Sequence, residues 1–262
     1  MTTPALASEQ PHGSPAPANT AIGNCYAVAA AILFSTAGYI VRHIHLPPWD
    51  VSFWRSVFLV VTLLPLLIWY RKRYLADARH AGSALVLSAA ALAGSFVCFI
   101  LALGEAPVAN VLIVFGATPF VTALAARLFL REPLHRHTLF AMAAATVGLA
   151  LSVAGSLKGG ALLGMALAFV VVLCMSSNYV VVRHRRDVDM VPAIALAGVL
   201  SGLVAWPFAE PANLPLAELP WILALSPGQL CGGLLLYMAA LKRIPAGRAA
   251  LLGLLELVLG PI

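Results

Sequence analysis

The chain has 262 residues, of which 61% are hydrophobic and only 10% charged, with a mean hydropathy of +0.94. Soluble domains carry about 25% charged residues, and a water-soluble core of this size could not hide so much apolar side chain, whereas a bilayer can. The formal net charge of +6 lies in short basic clusters between apolar runs, not on a solvated face. That excludes a nucleic-acid binder and leaves an all-α polytopic membrane helix bundle.

Residues 1–22 are rich in Pro, Ala, Ser and Thr, with Glu9 the one formal charge. A secretory signal needs a basic start, so this segment reads as a disordered cytoplasmic tail. A spanning helix needs about 20 apolar residues. Apolar runs follow at Gly23–Val41, Val51–Tyr70, Ala84–Leu103, Pro107–Leu130, Thr138–Leu157, Gly160–Val182, Val191–Ala209 and Pro220–Leu241. A ninth begins near Ala249 and reaches Ile262 after 14 residues. That is about 21 Å of helix against a hydrocarbon core of about 30 Å, so the ninth helix reads as truncated.

Thirteen of the sixteen basic residues fall in alternate connections. These are Arg71, Lys72, Arg73 and Arg79; Arg127, Arg131 and Arg136; Arg183, Arg185 and Arg186; and Lys242, Arg243 and Arg248. Cytoplasmic loops collect Lys and Arg, so the amino terminus is expected in the cytoplasm and the protein in a bacterial inner membrane. Cys25, Cys98, Cys174 and Cys231 lie in apolar runs without C-x-x-C spacing and read as small hydrophobes. No P-loop, G-x-S-x-G or H-E-x-x-H pattern is present. No metal, cofactor or enzymatic chemistry is expected.

A shift of 138 residues lays Ala102-Leu103 on Ala240-Leu241, Pro107 on Pro245 and Phe99 on Tyr237; a shift of 140 lays Tyr39-Ile40-Val41 on Tyr179-Val180-Val181. The turn Gly104-Glu105 then corresponds to Lys242-Arg243. Opposite charge in equivalent turns is expected of copies with inverted topology, which five helices per copy would give. The division expected is residues 23–157 for the first repeat and 158–262 for an incomplete second.

In this pattern the chain resembles EamA-type permeases of the drug/metabolite transporter superfamily. The resemblance rests on Ala117-Thr118-Pro119, Arg131-Glu132-Pro133, Leu255-Glu256-Leu257 and Arg55 in Ser52-Phe53-Trp54-Arg55-Ser56. Leu257 stands where that family usually has proline. The resemblance implies ten helices in two inverted five-helix repeats.

Polar residues in a bilayer are expensive and each needs a reason. Arg55 reads as a snorkelling interface residue, a partner of Asp50, or a cavity cation for a substrate carboxylate. Glu256 reads as a helix-packing acid or a proton carrier. Ser35 and Thr36, with Ser176 and Asn178, read as interhelical glue or as cavity lining. Tyr39 and Tyr179 are candidates for the two ends of that cavity, and Asn110 for its wall.

The function read from these features is a secondary transporter, an exporter of small organic solutes working by alternating access, with proton coupling the default. The alternatives are a non-transporting scaffold or sensor, or a truncated permease fragment. Lipid and a small-molecule substrate are the expected partners, with a homodimer left open and no nucleic acid.

Overall fold

A computed structural model describes residues 17–131, 161–211 and 214–259. The expected fifth helix, Thr138–Leu157, lies outside the described residues. Among the described residues the chain is all helix and turn, a polytopic bundle. Seven helical stretches are long and apolar enough to span a membrane: Asn19–Arg42, Pro48–Trp69, Ser83–Glu105, Val108–Leu130, Leu162–His184, Val191–Phe208 and Leu219–Leu241. All seven correspond to runs expected from the sequence, with ends shifted by a few residues.

The first span is α1 (Pro17–Ser35) followed by α2 (Ala37–Arg42), joined at Thr36. The second is α3 (Pro48–Trp69), whose first turn accepts Pro48 because an N–H there would have no intrahelical partner. Next comes α4 (Arg71–Ala81), where sequence reading expected only a basic loop. Tyr74 and Ala81 are buried and Arg71, Lys72, Leu75, Ala76 and Arg79 exposed. That division is the 3.6-residue period of a short helix lying on the bundle end. Gly82, at φ 55°, ends it in a backbone region open essentially to glycine.

The third span is α5 (Ser83–Glu105). The fourth is broken into α6 (Val108–Phe115) and α7 (Thr118–Leu130). Pro119 cannot donate to the Phe115 carbonyl; the Gly116 amide is shared between Leu112 at 3.2 Å and Ile113 at 3.0 Å, and the Ala117 amide turns to Val114 at 3.0 Å. The sixth expected span is α8 (Leu162–His184). The seventh is α9 (Val191–Ala205) with a 3₁₀ turn, Trp206–Phe208. The eighth begins as α10 (Leu219–Leu223), widens into a π-helical segment at Ala224–Cys231 and closes as α11 (Gly232–Leu241). The ninth is α12 (Ala246–Gly253), a break at Leu254, and α13 (Leu255–Leu259). As described, this last stretch is not among the helices long enough to span.

Helix α8 lies along α5, and α9 packs on both α5 and α3. Helix α1 lies along α11, while α6 and α7 pack on α8, and α12 on α7 and α1. Small residues permit the close approaches. A Cβ on Gly164 would stand 2.5 Å from the Ala106 Cβ and 3.0 Å from the Ala102 carbonyl oxygen. Membrane helices associate through such backbone proximity and through hydrogen bonds, because lipid removes the hydrophobic drive between them. Such bonds cross between helices here: Ser88 Oγ donates to Asn178 Oδ1 at 2.6 Å, Ser56 Oγ lies 2.8 Å from Ser201 Oγ, and Thr122 Oγ1 donates to Ser176 Oγ at 3.0 Å. Leu128, Phe129 and Leu203 are more than 60% exposed on the outer faces, a surface that lipid accepts and water would not.

Candidate functional site

Each end of the bundle is tied by polar contacts. At one end Asp189 receives Arg73 at 3.3 Å and Lys242 at 3.5 Å, joining α4, the α8–α9 loop and the α11–α12 turn. Arg185 donates to the His80 carbonyl at 2.7 Å and to both oxygens of Asp187 at 3.2 Å. Those bonds hold the exposed Asp187 carboxyl below its ordinary pKa. Arg243 stacks over Tyr26 of α1 at this same end. At the opposite end His45 donates its backbone N–H to Glu218 at 3.3 Å, and Asp50 accepts from the Glu210 amide at 2.6 Å.

Between these ends lies a cavity with about 90 Å³ open to the centres of water molecules. One water needs about 10–15 Å³ by this measure, so several fit. Every described span except α9 contributes to its wall. The apolar lining includes Phe34, Phe96, Phe99 and Phe115. The polar lining includes Arg55, Gln229, Tyr179, Tyr237 and Glu256.

Arg55 decides the chemistry. It is 4% exposed, and its guanidinium carbon sits 5.4 Å from the ring centroids of both Phe96 and Phe99. Nη1 reaches the Phe96 carbonyl at a long 3.5 Å, and Nε has no hydrogen-bond partner. No carboxylate pairs with it among the described residues. A buried charge is costly unless it is paired, and ring faces offset only part of that cost. Ser226 Oγ donates to the Arg55 carbonyl at 2.6 Å, fixing α3 against the π-helical segment.

Three breaks in helix regularity deliver the other side chains. The α6–α7 break puts Phe115, Thr118 and Pro119 on the wall, and the α12–α13 break puts Gly253, Leu254 and Glu256 there. The π segment turns Gln229 inward, 6% exposed and with Oε1 unpartnered. Tyr179 and Tyr237 stack at 4.4 Å, and Glu256 lies on the same cavity wall.

Of the residues singled out in the sequence, the structure brings Arg55, Tyr179 and Glu256 together at this cavity. Ser35 and Thr36 each donate at 2.7 Å to a carbonyl of their own helix. Tyr39 is 54% exposed and packs its ring tilted on His43 and edge-on to Trp221, at the end that holds Glu218. Asn110 stands in the first turn of α6 and is not on the cavity wall. Ser176 accepts from Thr122 at 3.0 Å and Asn178 from Ser88, so both join helices. Arg55 has no ion pair with Asp50, whose carboxylate turns to Glu210. Sequence reading missed Gln229, Tyr237 and the phenylalanine wall. An amide inside the apolar run Pro220–Leu241 was the available signal for Gln229. Among the described residues no three His, Cys, Asp or Glu side chains gather as metal ligands would.

The EamA-like transporter family model matches residues 21–154 and again residues 162–262. The chain belongs to the EamA-like transporter family. A solved crystal structure shares its fold, with a TM-score of 0.69 and 20% identity, covering 93% of this chain and 87% of the other. A search of curated proteins finds no match. The EamA-like assignment accounts for the multi-pass bundle and is a transporter assignment, not a catalytic one.

Proposed function

We propose that this EamA-like chain is a secondary transporter, an exporter in the inner membrane, for small organic solutes that carry a carboxylate. The observation that carries the reading is Arg55: a guanidinium buried in a cavity wall, without an acidic partner among the described residues and with Nε unused. An incoming carboxylate would complete a charge-assisted pair in a medium of low dielectric.

Alternating access by two inverted repeats fits the packing. Exchanging α1, α3, α5 and α6–α7 with α8, α9, the eighth span and α12–α13 turns the principal contacts into one another: α5 on α8 becomes the eighth span on α1, and α6–α7 on α8 becomes α12–α13 on α1. The contact of α3 with α9 maps onto itself, and that of α7 with α12 becomes that of α13 with α6. The equivalent helices α6 and α12 both run eight residues after a proline. Inversion is supported by the two equivalent turns. Gly104 lies against Pro48, while Lys242 bonds Asp189 at the opposite end. Two such halves rocking about a midplane cavity would expose Arg55 to each side in turn.

Glu256, on the same wall, is positioned to carry a proton as the solute moves. Proteoliposomes with an imposed pH gradient test the scheme with a panel of labelled carboxylates, amines and neutral sugars. Carboxylate flux driven by the gradient is expected of the wild type. Glu256→Gln should retain solute exchange and lose gradient-driven accumulation. A panel with no solute-dependent flux, or accumulation unchanged in Glu256→Gln, refutes the transport or the coupling respectively.

A further inference from the structure

The end of the bundle that Asp189 ties together carries more positive charge than its own acids use. Among the described residues those acids are Asp77, Asp187 and Asp189, and each already has a cation. Arg73 lies 3.7 Å from Asp77, Arg185 holds Asp187, and Arg73 and Lys242 share Asp189. Helix α4 has three further cations, Arg71, Lys72 and Arg79. All three are exposed, and none has an acidic partner among the described residues.

Their placement follows the helix. Arg71, Leu75 and Arg79 are spaced four residues apart and so share one stripe of α4, with Lys72 beside Arg71. Tyr74 and Ala81 are buried on the other side. Leu75, between the two arginines, is 57% exposed. Two residues before Arg71, Trp69 is 82% exposed, and Ile68 beside it is exposed as well. Tryptophan gathers at the headgroup level of a membrane, so α4 starts at that depth. Cations around an exposed leucine and tryptophan are the composition of an interfacial helix: stems and rings enter the acyl boundary while the charged heads stay among phosphates. A soluble anion would use the cations and leave Trp69 and Leu75 in water.

We infer that the outward face of α4 is a docking surface for anionic phospholipid, with Arg71, Lys72 and Arg79 on headgroup phosphates and Trp69 and Leu75 against the acyl chains. Arg73, on the same helix, binds Asp77 and Asp189 instead. Bound lipid therefore holds α4 to the membrane surface and, through Arg73, the α8–α9 loop with it. None of these residues lines the cavity, so the surface is independent of what the cavity carries.

The purified full chain in vesicles of phosphatidylcholine and phosphatidylglycerol tests this, one lipid at a time carrying brominated acyl chains that quench tryptophan. The other four tryptophans, Trp49, Trp54, Trp206 and Trp221, stand toward the opposite end of the bundle. The quenching lost in Trp69→Phe therefore reports the lipid beside α4. Each basic side chain near an anionic surface strengthens attraction about fivefold, so the wild-type site should prefer phosphatidylglycerol by about tenfold or more. Arg71→Gln, Lys72→Gln and Arg79→Gln together should bring the two lipids to within about twofold of each other. Arg127→Gln, Arg131→Gln and Arg248→Gln together, which remove exposed cations at the same end, should leave the preference intact. Salt at about 1 M, where the screening length is about 3 Å, should remove most of the wild-type preference, which covers the case of an α4 variant that does not fold. Equal wild-type quenching by the two lipids, a preference kept in the α4 variant or at high salt, or an equal loss in the Arg127, Arg131 and Arg248 variant overturns the docking surface. Glycerol 3-phosphate in solution should not compete; if it erases the preference, the face takes free phosphate and the lipid assignment falls.

Discussion

Gly164 gives the packing account a measurable edge. It sits on α8 where α8 runs along α5, and a Cβ there would meet the Ala106 Cβ at 2.5 Å, the Ala106 amide nitrogen at 2.9 Å and the Ala102 carbonyl oxygen at 3.0 Å. Ordinary contact begins at 3.4 Å, so Gly164→Ala must separate the two helices locally by about 0.9 Å, and two of the three obstacles are backbone that cannot rotate away. Overpacking of this kind costs about 1–3 kcal/mol. Gly202→Ala is the matched control, because its Cβ would meet only the Ser56 Cβ at 3.5 Å. Any helix-propensity gain, at most about 1 kcal/mol, is common to both. Unfolding by sodium dodecyl sulfate from mild detergent, followed by tryptophan fluorescence, should therefore place Gly164→Ala about 1–3 kcal/mol below Gly202→Ala. Equal stabilities, or Gly164→Ala the more stable, would refute the close approach of α5 and α8.

Two further perturbations read other parts of the structure. The Ser88–Asn178 bond should show a coupling of about 0.6 kcal/mol, and not above about 1.7, in a Ser88→Ala, Asn178→Ala double-mutant cycle in the same assay; strictly additive effects would deny the bond. Asp187 is held ionised by Arg185 and is exposed, so Asp187→Asn should cost less than about 1 kcal/mol. A lowered carboxyl pKa contributes stability that is full above the ordinary value near 4 and is lost as pH falls through the lowered one. The difference between wild type and Asp187→Asn should be flat from pH 7 to 5 and shrink only below about 4; a difference that changes between pH 7 and 5 contradicts the bond.

The spans were legible because lipid imposes one simple demand, about 20 apolar residues per crossing. The alternation of basic clusters was legible for the same reason, and Arg73, Arg185 and Lys242 do meet at one end of the bundle. Helix α4 was not, because Arg71–Ala81 is polar overall and its buried face amounts to Tyr74, Ala81 and little more. Arg55 and Glu256 stood out as charges in apolar runs, and both line the cavity. Ser176 and Asn178 stood out equally, yet their partners Thr122 and Ser88 lie on other helices, which no spacing along one helix reveals. Gln229 reaches the wall through a π turn, and helical periodicity assumes a regular α-helix there.

The central claim is that Arg55 is the cation that receives the solute, and its direct measurement is flux through proteoliposomes of a transported carboxylate and of its carboxamide, by wild type, Arg55→Lys and Arg55→Gln. A charge-assisted hydrogen bond is worth about 1.5–3 kcal/mol, so Arg55→Gln should lose carboxylate transport by about 10- to 150-fold while melting at the wild-type temperature. Arg55→Lys, which keeps the charge without the planar fork, should fall between, and the carboxamide should move poorly in all three. Carboxylate flux by Arg55→Gln at the wild-type rate would contradict the account.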